Sequence, residues 1–211
     1  MATFLQEKNG VSGILGRTDG ATPNVIRDNA INDVRQNEIA NAYPFSWLRK
    51  KTTVITGATG LADLPADFNI NHKIYDIRIA NSGNDDIFSE IDSISFDSLT
   101  SNVYFIDYNT TTKVWQINTH NNSITITIVY YHIPATLTAD ADVDIIPDQD
   151  VIAMLAGARY WLSSERDETN HDRFKALGER KLQLLINKDK KAQPLRRTRS
   201  TMFGVDMGFN R

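Results

Sequence analysis

The segment VYFIDYNTTTKVWQINTHNNSITITIVYY, residues 103–131, carries three β-strand patterns in succession. In its last part, ITITI at residues 124–128, isoleucine and threonine alternate with the two-residue period of a strand, and β-branched residues favour strands. The joining segments YNTTTK and NTHNNS are short and rich in turn-forming residues. The segment therefore predicts an antiparallel β-meander of two consecutive hairpins. Tyr130 and Tyr131 point to opposite faces of its last strand, so we expect one ring in the core and the other at a surface or an interface.

Two earlier segments extend the β-region toward the N-terminus. KKTTVIT at 50–56 and KIYDIRI at 73–79 have strand patterns, so the β-region is expected to span residues 50–133. Between them, DLPADF at 63–68 predicts a turn, because its proline pushes the preceding residue toward extended geometry. The turn is expected to place Phe68 against the sheet.

A helical pattern precedes the β-region. The predicted helix spans residues 23–43, with Thr22 as its N-cap, Pro23 at its first position and Pro44 at its end. Its expected apolar stripe is Ile26, Ala30, Val34 and Tyr43, with Ile31 and Ile39 nearby.

Two further helices are predicted after the β-region, at residues 147–166 and 170–190. Thr169, followed three residues later by Asp172, resembles a capping box at the start of the second of these helices. The expected apolar face of that helix comprises Phe174, Leu177, Leu182, Leu185 and Ile186.

The order of the patterns predicts an α+β fold, with an antiparallel β-meander inserted between helices. Residues 1–20 contain a weaker helical pattern, because two glycines interrupt it. A chain of 211 residues suits one domain, which we expect at residues 1–190. Residues 191–211 follow Lys190 without a strand or helix period, and they are expected to form an extended C-terminal arm.

Composition places the chain among ordinary globular proteins, with 41% hydrophobic and 23% charged residues. The absence of cysteine excludes disulfides and thiolate chemistry. The first residues, MATFLQEKNG, have no basic flank followed by an apolar run, so no secretory signal is expected. No stretch approaches the roughly 18–20 apolar residues that cross a bilayer. We therefore expect assembly in the cytoplasm and no membrane partner.

No motif in the chain predicts catalysis or a cofactor. DADVD at 140–144 has the alternating aspartates of a calcium loop, but it lacks the glycine and glutamate that an EF-hand requires. The four histidines have no paired metal-ligand spacing. The aspartates therefore predict a solvated acidic loop beside a helix N-terminus, and the protein is expected not to be an enzyme.

The C-terminal arm combines Arg196, Arg197 and Arg199 with Phe203 and Phe209 among glycines. The arginines could neutralise the phosphates of a nucleic acid, or the arm could become ordered on a protein partner. An unanchored chain end is the third interpretation. The two phenylalanines favour protein docking, because phosphate binding requires no apolar anchors.

Several segments occur in an order typical of one group of proteins: INDVRQNEIANAYPFSWLRK at 31–50, DLPADF followed by KIYDIRI, YYHIPATL at 130–137, and PDQDVIAMLAGARYWL at 147–162. In this order they resemble the head-to-tail connector proteins of tailed bacteriophages, the portal adaptor family that includes tail tubular protein A-like proteins. The family commonly has a firmer helix at the position of residues 1–20.

The resemblance implies a structural protein of the virion neck, between capsid and tail. Copies would form a ring, commonly of twelve, that docks on the portal protein, contacts neck or tail proteins and extends the DNA channel. The C-terminal arm would be the docking element, with its arginines on portal carboxylates and its phenylalanines in apolar clefts. DNA would pass through the lumen without sequence-specific contact. Asp140, Asp142 and Asp144 are expected to present negative charge to that lumen, which would repel the DNA.

Two alternatives stay open. Within the same assembly, the chain could be a neck stopper or a tail terminator protein. In another class, it could be a basic-armed nucleic-acid-binding protein. A DNA binder should lose affinity steeply as salt rises, whereas an adaptor should bind portal rings and ignore free duplex.

Overall fold

The computed structural model describes residues 1–18, 20–22, 24–79, 88–91, 103–163 and 168–193. Its helices are α1 (Phe4–Ile14), α2 (Val25–Asp33), α3 (Ala40–Ala42), α4 (Gln149–Ser163) and α5 (Glu168–Ala192). Its strands are β1 (Arg49–Ile55), β2 (Leu61–Asp63), β3 (Asp76–Ile79), β4 (Ser89–Glu90), β5 (Val103–Asn109), β6 (Val114–Thr119) and β7 (Thr125–Tyr131). Helices at both ends, with largely antiparallel sheets between them, confirm the predicted α+β class.

Helix α1 is better defined than its sequence predicts. Thr3 and Gln6 form a reciprocal capping box, in which the Thr3 hydroxyl accepts from the Gln6 N–H and the Gln6 side chain accepts from the Thr3 N–H at 2.8 Å. Gly10 lies against α4, where an added Cβ would come within 3.2 Å of the Ala153 Cβ. One of the two glycines that weaken the helical pattern therefore permits a close approach of two helices.

The second helical segment begins and continues differently from the prediction. Asn24, not Thr22, is the N-cap of α2, since its side chain accepts from the Arg27 N–H at 3.1 Å. A π-helical segment, Val34–Ile39, joins α2 to α3. The helix ends at Ala42 because Tyr43 is extended, as expected before a proline. Ile26, predicted in the buried stripe, is 50% exposed.

The strands form two sheets instead of one meander. Strands β5 and β6 form the predicted first hairpin, but β6 and β7 do not pair. Instead, β7 lies between β1 and β3, while β6 lies between β5 and β2. The second predicted hairpin is therefore wrong, because β1 and β3 take both edges of β7, while β5 and β2 take both edges of β6.

The two sheets pack around a shared core, and the helices form a second core. Tyr130 belongs to the core between the sheets, and Tyr131 belongs to the helical core. Both rings are at least 94% buried, so the prediction that one of them lies at a surface is wrong. Phe68 is buried in the sheet core, as the DLPADF turn predicts, and its N–H donates to the Pro65 carbonyl at 2.9 Å.

Helix α4 is the centre of the helical body. It packs against α1 and α2 and also against α5. It begins at Gln149, two residues after the predicted start at Pro147, and the Asp148 carboxylate accepts from the Asp150 N–H at 3.1 Å. Gly178 of α5 lies so close to Leu155 that a Cβ there would approach the Leu155 Cδ2 to 2.6 Å.

Helix α5 begins at Glu168, so the predicted capping box at Thr169 is wrong in position. Asp189 near its other end accepts from the Ser46 N–H at 3.1 Å, which ties α5 to the 3-10 turn Ser46–Leu48 before β1. Leu177, predicted in the apolar face of α5, is 38% exposed. The sequence predicts a break between the helices at 147–166 and 170–190, and the start of that break, at Asp167, lies outside the described residues.

Candidate functional site

The acidic segment, residues 138–144, packs against the start of α1 instead of forming a fully solvated loop. The Phe4 N–H donates to the Asp142 carbonyl at 2.8 Å, and the Leu5 N–H donates to the Asp140 carbonyl at 3.2 Å. The Lys8 ammonium lies 2.8 Å from the Asp140 carboxylate, whose side chain is 50% exposed. The segment is therefore part of the helical body, with Asp140 at its outer edge.

Asp142 stabilises the turn that begins the acidic segment. Its carboxylate accepts from the Thr138 N–H at 2.7 Å and from the Ala139 N–H at 2.8 Å. These backbone donors hold the pKa of Asp142 below its usual range. Asp142 is therefore charged at neutral pH, and its side chain is partly exposed.

Asp144 is the exception among the three aspartates predicted to face a lumen. Its side chain is completely buried, and its Oδ1 accepts from the Arg35 guanidinium at 2.6 Å. A carboxylate that is enclosed and ion-paired inside the subunit presents no charge to solvent, so the prediction of a lumen-facing Asp144 is wrong. Asp140 and Asp142 have exposed carboxylate surface, and their orientation toward a lumen stays a prediction.

Glu7 shares this buried site. It is completely buried in α1, and no described donor reaches either of its carboxyl oxygens. Burial, together with the adjacent Asp144 carboxylate, raises the pKa of Glu7 to about 9, although Arg35 opposes the shift. Glu7 is therefore protonated at neutral pH, and the buried site holds one cation and one anion. No motif in the sequence distinguishes this glutamate from a surface one.

One side of α5 carries an exposed stripe of cations and leucines. Its members lie three or four residues apart, so they follow one face of the helix. We call these residues the outer stripe: Arg173, Leu177, Arg180, Leu184, Lys188 and Lys191. Leu177 is 38% exposed and Leu184 is 62% exposed, so two leucines lie uncovered between the cations of the stripe. Sequence periodicity misses the outer stripe, because it assigns Leu177 to the apolar face of α5 and does not single out Leu184.

On the other side of α5, a cleft of about 650 Å³ is lined by residues of α2, α4 and α5. Its apolar lining consists of Ile26, Ala30, Leu155 and Ala158. Arg159 at its rim forms ion pairs with both Asp33 and Glu38. Burial raises the pKa of Glu38, while Lys175 lowers it and Glu179 raises it further. The cleft therefore has an apolar floor and a rim in which acidic groups are incompletely neutralised.

The predicted docking residues Arg196, Arg197, Arg199, Phe203 and Phe209 lie outside the described residues. The structure does describe the point from which the arm departs. Gln193 follows α5, and its side-chain oxygen accepts from the Arg49 guanidinium at 2.8 Å. The arm therefore starts beside the first residue of β1.

The described histidines do not form a catalytic or metal-binding cluster. His72, His132 and His171 each place one ring nitrogen 2.6–2.8 Å from a backbone carbonyl oxygen, as in structural hydrogen bonds. No group of three or more potential ligand residues in the described ranges is arranged to hold a metal ion. Across those same ranges, no helix is both long and apolar enough to cross a membrane.

Comparison with known proteins supports the assignment that this architecture favours. No curated protein matches the chain. The family model described as SU10 adaptor protein matches residues 4–200, which include the helical body, both sheets and the first part of the arm. The chain therefore belongs to the SU10 adaptor protein family and is a structural adaptor of the bacteriophage virion.

Proposed function

We propose that this adaptor forms a ring between the portal and the tail, with twelve copies as is common in portal adaptors. The ring extends the DNA channel. The family match over residues 4–200 is the observation that carries this proposal. An adaptor has to join two different structures. The described body is followed in the sequence by the segment after Gln193, and in this proposal the body contacts its neighbours while that segment contacts the portal.

In this proposal the portal-docking element is the C-terminal arm, reduced from the predicted residues 191–211 to the part that follows α5, because α5 extends to Ala192. Arg196, Arg197 and Arg199 pair with portal carboxylates, while Phe203 and Phe209 fill apolar clefts. Anchoring by aromatic residues makes binding tolerant of salt, whereas ion pairs at an exposed rim weaken as salt rises. The two kinds of contact can therefore be separated by experiment.

Co-sedimentation with purified portal rings of the same phage tests this role. The full chain is compared with a version that ends at Gln193, which keeps α5 complete and retains the contacts of Asp189 and Gln193 with the body. We expect only the full chain to sediment with the portal. Binding of both versions would place the portal contact on the body, and binding of neither would contradict the proposed role.

A second pair of variants measures how much the phenylalanines and the arginines of the arm each contribute to portal binding. Replacement of Phe203 and Phe209 by serine should abolish co-sedimentation at all salt concentrations. Replacement of the three arginines by glutamine should weaken it mainly at low salt, where ion pairs contribute most. Free duplex DNA is the control partner, since binding to it with a steep salt dependence would favour the nucleic-acid-binding alternative.

A further inference from the structure

We infer that the outer stripe of α5 binds the cleft between α2, α4 and α5 of a second copy of this chain, and that this contact joins neighbours in the ring. The inference rests on the proposed ring, and it assigns the two surfaces that meet. Both surfaces belong entirely to described residues.

The first argument is the position of the two surfaces. His171 and Lys175 face the cleft, and the residues of the outer stripe lie roughly 160° away from them around the axis of α5. The two surfaces differ and lie on opposite sides of α5, so a contact between them is heterologous and repeats from copy to copy. Such a contact closes into a ring when the rotation between neighbours divides a full turn.

The second argument is the exposed apolar surface. Leu177 and Leu184 are 38% and 62% exposed on the outer stripe, and Ile26, which lines the cleft, is 50% exposed. Both surfaces therefore leave aliphatic side chains uncovered in the single subunit. A neighbour would remove these side chains from water, and burying apolar surface is the main favourable term in protein association.

The third argument is charge. The outer stripe contributes four cations, Arg173, Arg180, Lys188 and Lys191. The cleft is lined by two carboxylates, Asp33 and Glu38, and two cations, Arg159 and Lys175. Glu179, outside the lining, lies close enough to Glu38 to raise its pKa, so the three carboxyl groups outnumber the two permanent cations. A cation from a neighbouring stripe would complete the neutralisation. Opposite charges on the two surfaces also disfavour the symmetric pairings, stripe on stripe and cleft on cleft.

DNA is a poorer occupant of the outer stripe than a second copy. Phosphates need cations, but the stripe also exposes two leucines, Leu177 at 38% and Leu184 at 62%. An exposed leucine offers neither a positive charge nor a hydrogen-bond donor to a phosphate backbone, whereas it fits an apolar cleft.

The absence of native cysteine makes a cross-linking test direct. Two variants, Leu184→Cys and Ile26→Cys, are mixed on portal rings and treated with a short bis-maleimide. Because each chain carries one cysteine, every product joins two copies. We expect a heterodimer from the mixture and little product from either variant alone. Ile55→Cys, at a position 70% exposed on β1, is the matched control and should not cross-link to Ile26→Cys.

A double variant with both substitutions should give a ladder of products that ends in a closed ring. Leu184→Asp provides an independent readout, because it changes an exposed residue and should leave the thermal unfolding midpoint unchanged. We expect it to reduce the number of copies bound per portal at least several-fold, whereas Ile55→Asp should not.

The outcomes separate this inference from the proposed function. One outcome is that wild-type protein sediments with the portal while Ile26→Cys and Leu184→Cys cross-link no better than Ile26→Cys and Ile55→Cys. That result overturns the inferred contact and leaves portal docking in place. If the pair cross-links in concentrated protein but nothing binds the portal, the contact stands and portal docking fails. Loss of duplex DNA binding on Leu184→Asp, with no specific cross-link, would assign the stripe to nucleic acid and overturn the inference.

Discussion

The guanidinium of Arg35 donates to the Asp144 carboxylate at 2.6 Å, and both side chains are at least 99% buried. The same guanidinium donates to the Ala135 carbonyl at 3.0 Å and to the Asn32 side chain at 2.9 Å. Arg35 lies in the π-helical segment, so this set of contacts joins the second helical segment to the acidic segment that precedes α4. The ion pair thus connects parts of the chain that are more than 100 residues apart.

Removing the Arg35 cation from this site should lower the free energy of unfolding. Arg35→Met leaves a buried Asp144 carboxylate without a partner, and breaking a buried pair in this way costs about 3–5 kcal/mol. Asp144→Asn should cost less, because Glu7 beside it can lose its proton and replace the missing carboxylate. Urea unfolding of both variants at pH 7 measures the difference. Equal losses would show that Glu7 does not compensate.

Glu7 predicts an unusual dependence of stability on pH. Its pKa in the folded protein is about 9, against 4.5 for an ordinary glutamate. Between these values the unfolded chain releases a proton that the folded chain keeps. The stabilising contribution of neutral Glu7 is therefore complete below about pH 4.5 and is lost as pH rises toward 9, at about 1.4 kcal/mol per pH unit for one proton.

Glu7→Gln tests that dependence, since glutamine resembles protonated glutamate but cannot ionise. The variant should lose the decline in unfolding free energy between pH 6 and pH 8, and it should be more stable than the wild type at pH 8. Glu179→Gln, which replaces an exposed carboxylate of α5, is the control and should keep the decline. Parallel pH profiles for wild type and Glu7→Gln would mean that Glu7 ionises normally.

Two glycines in helices should respond to alanine with opposite signs. At Gly178 an added Cβ would lie 2.6 Å from the Leu155 Cδ2, so Gly178→Ala should push α5 away from α4 and cost about 1–3 kcal/mol. At Gly13 an added Cβ meets open space, so Gly13→Ala should stabilise α1 by up to about 1 kcal/mol. Thermal unfolding compares the two variants. Destabilisation by both would indicate that Gly13 is also a packing position.

Local patterns predict the elements of this fold better than their pairing. The strands in 103–131 all exist, because alternation and β-branched residues act within a few residues of sequence. Their pairing depends on β1 and β3, which lie far away in the chain and take both edges of β7. Hairpin signals cannot report this competition, so one of the two predicted hairpins is wrong.

The same limit applies to the candidate surfaces. Asp144 and Asp140 look alike in the sequence, yet one is ion-paired inside the subunit and the other is at its edge. The difference comes from Arg35, which a local pattern does not connect to residue 144. Leu177 satisfies a helical core period, and only the packing of α5 on α4 shows that it points outward.

Asp140 and Asp142 allow the DNA channel itself to be tested. If their charges face the lumen, they repel the DNA backbone and lower friction, so neutralising them should slow DNA exit from the virion. Asp140→Asn and Asp142→Asn are suitable changes, because Lys8 keeps Asp28 as an ion partner at 3.4 Å and asparagine can still accept from the Thr138 N–H. The effect should shrink as salt rises, since salt screens the repulsion. Asp107→Asn, on β5, is the control for a general loss of surface charge. Ejection rates of the double variant that match the wild type at low salt would place both aspartates away from the channel.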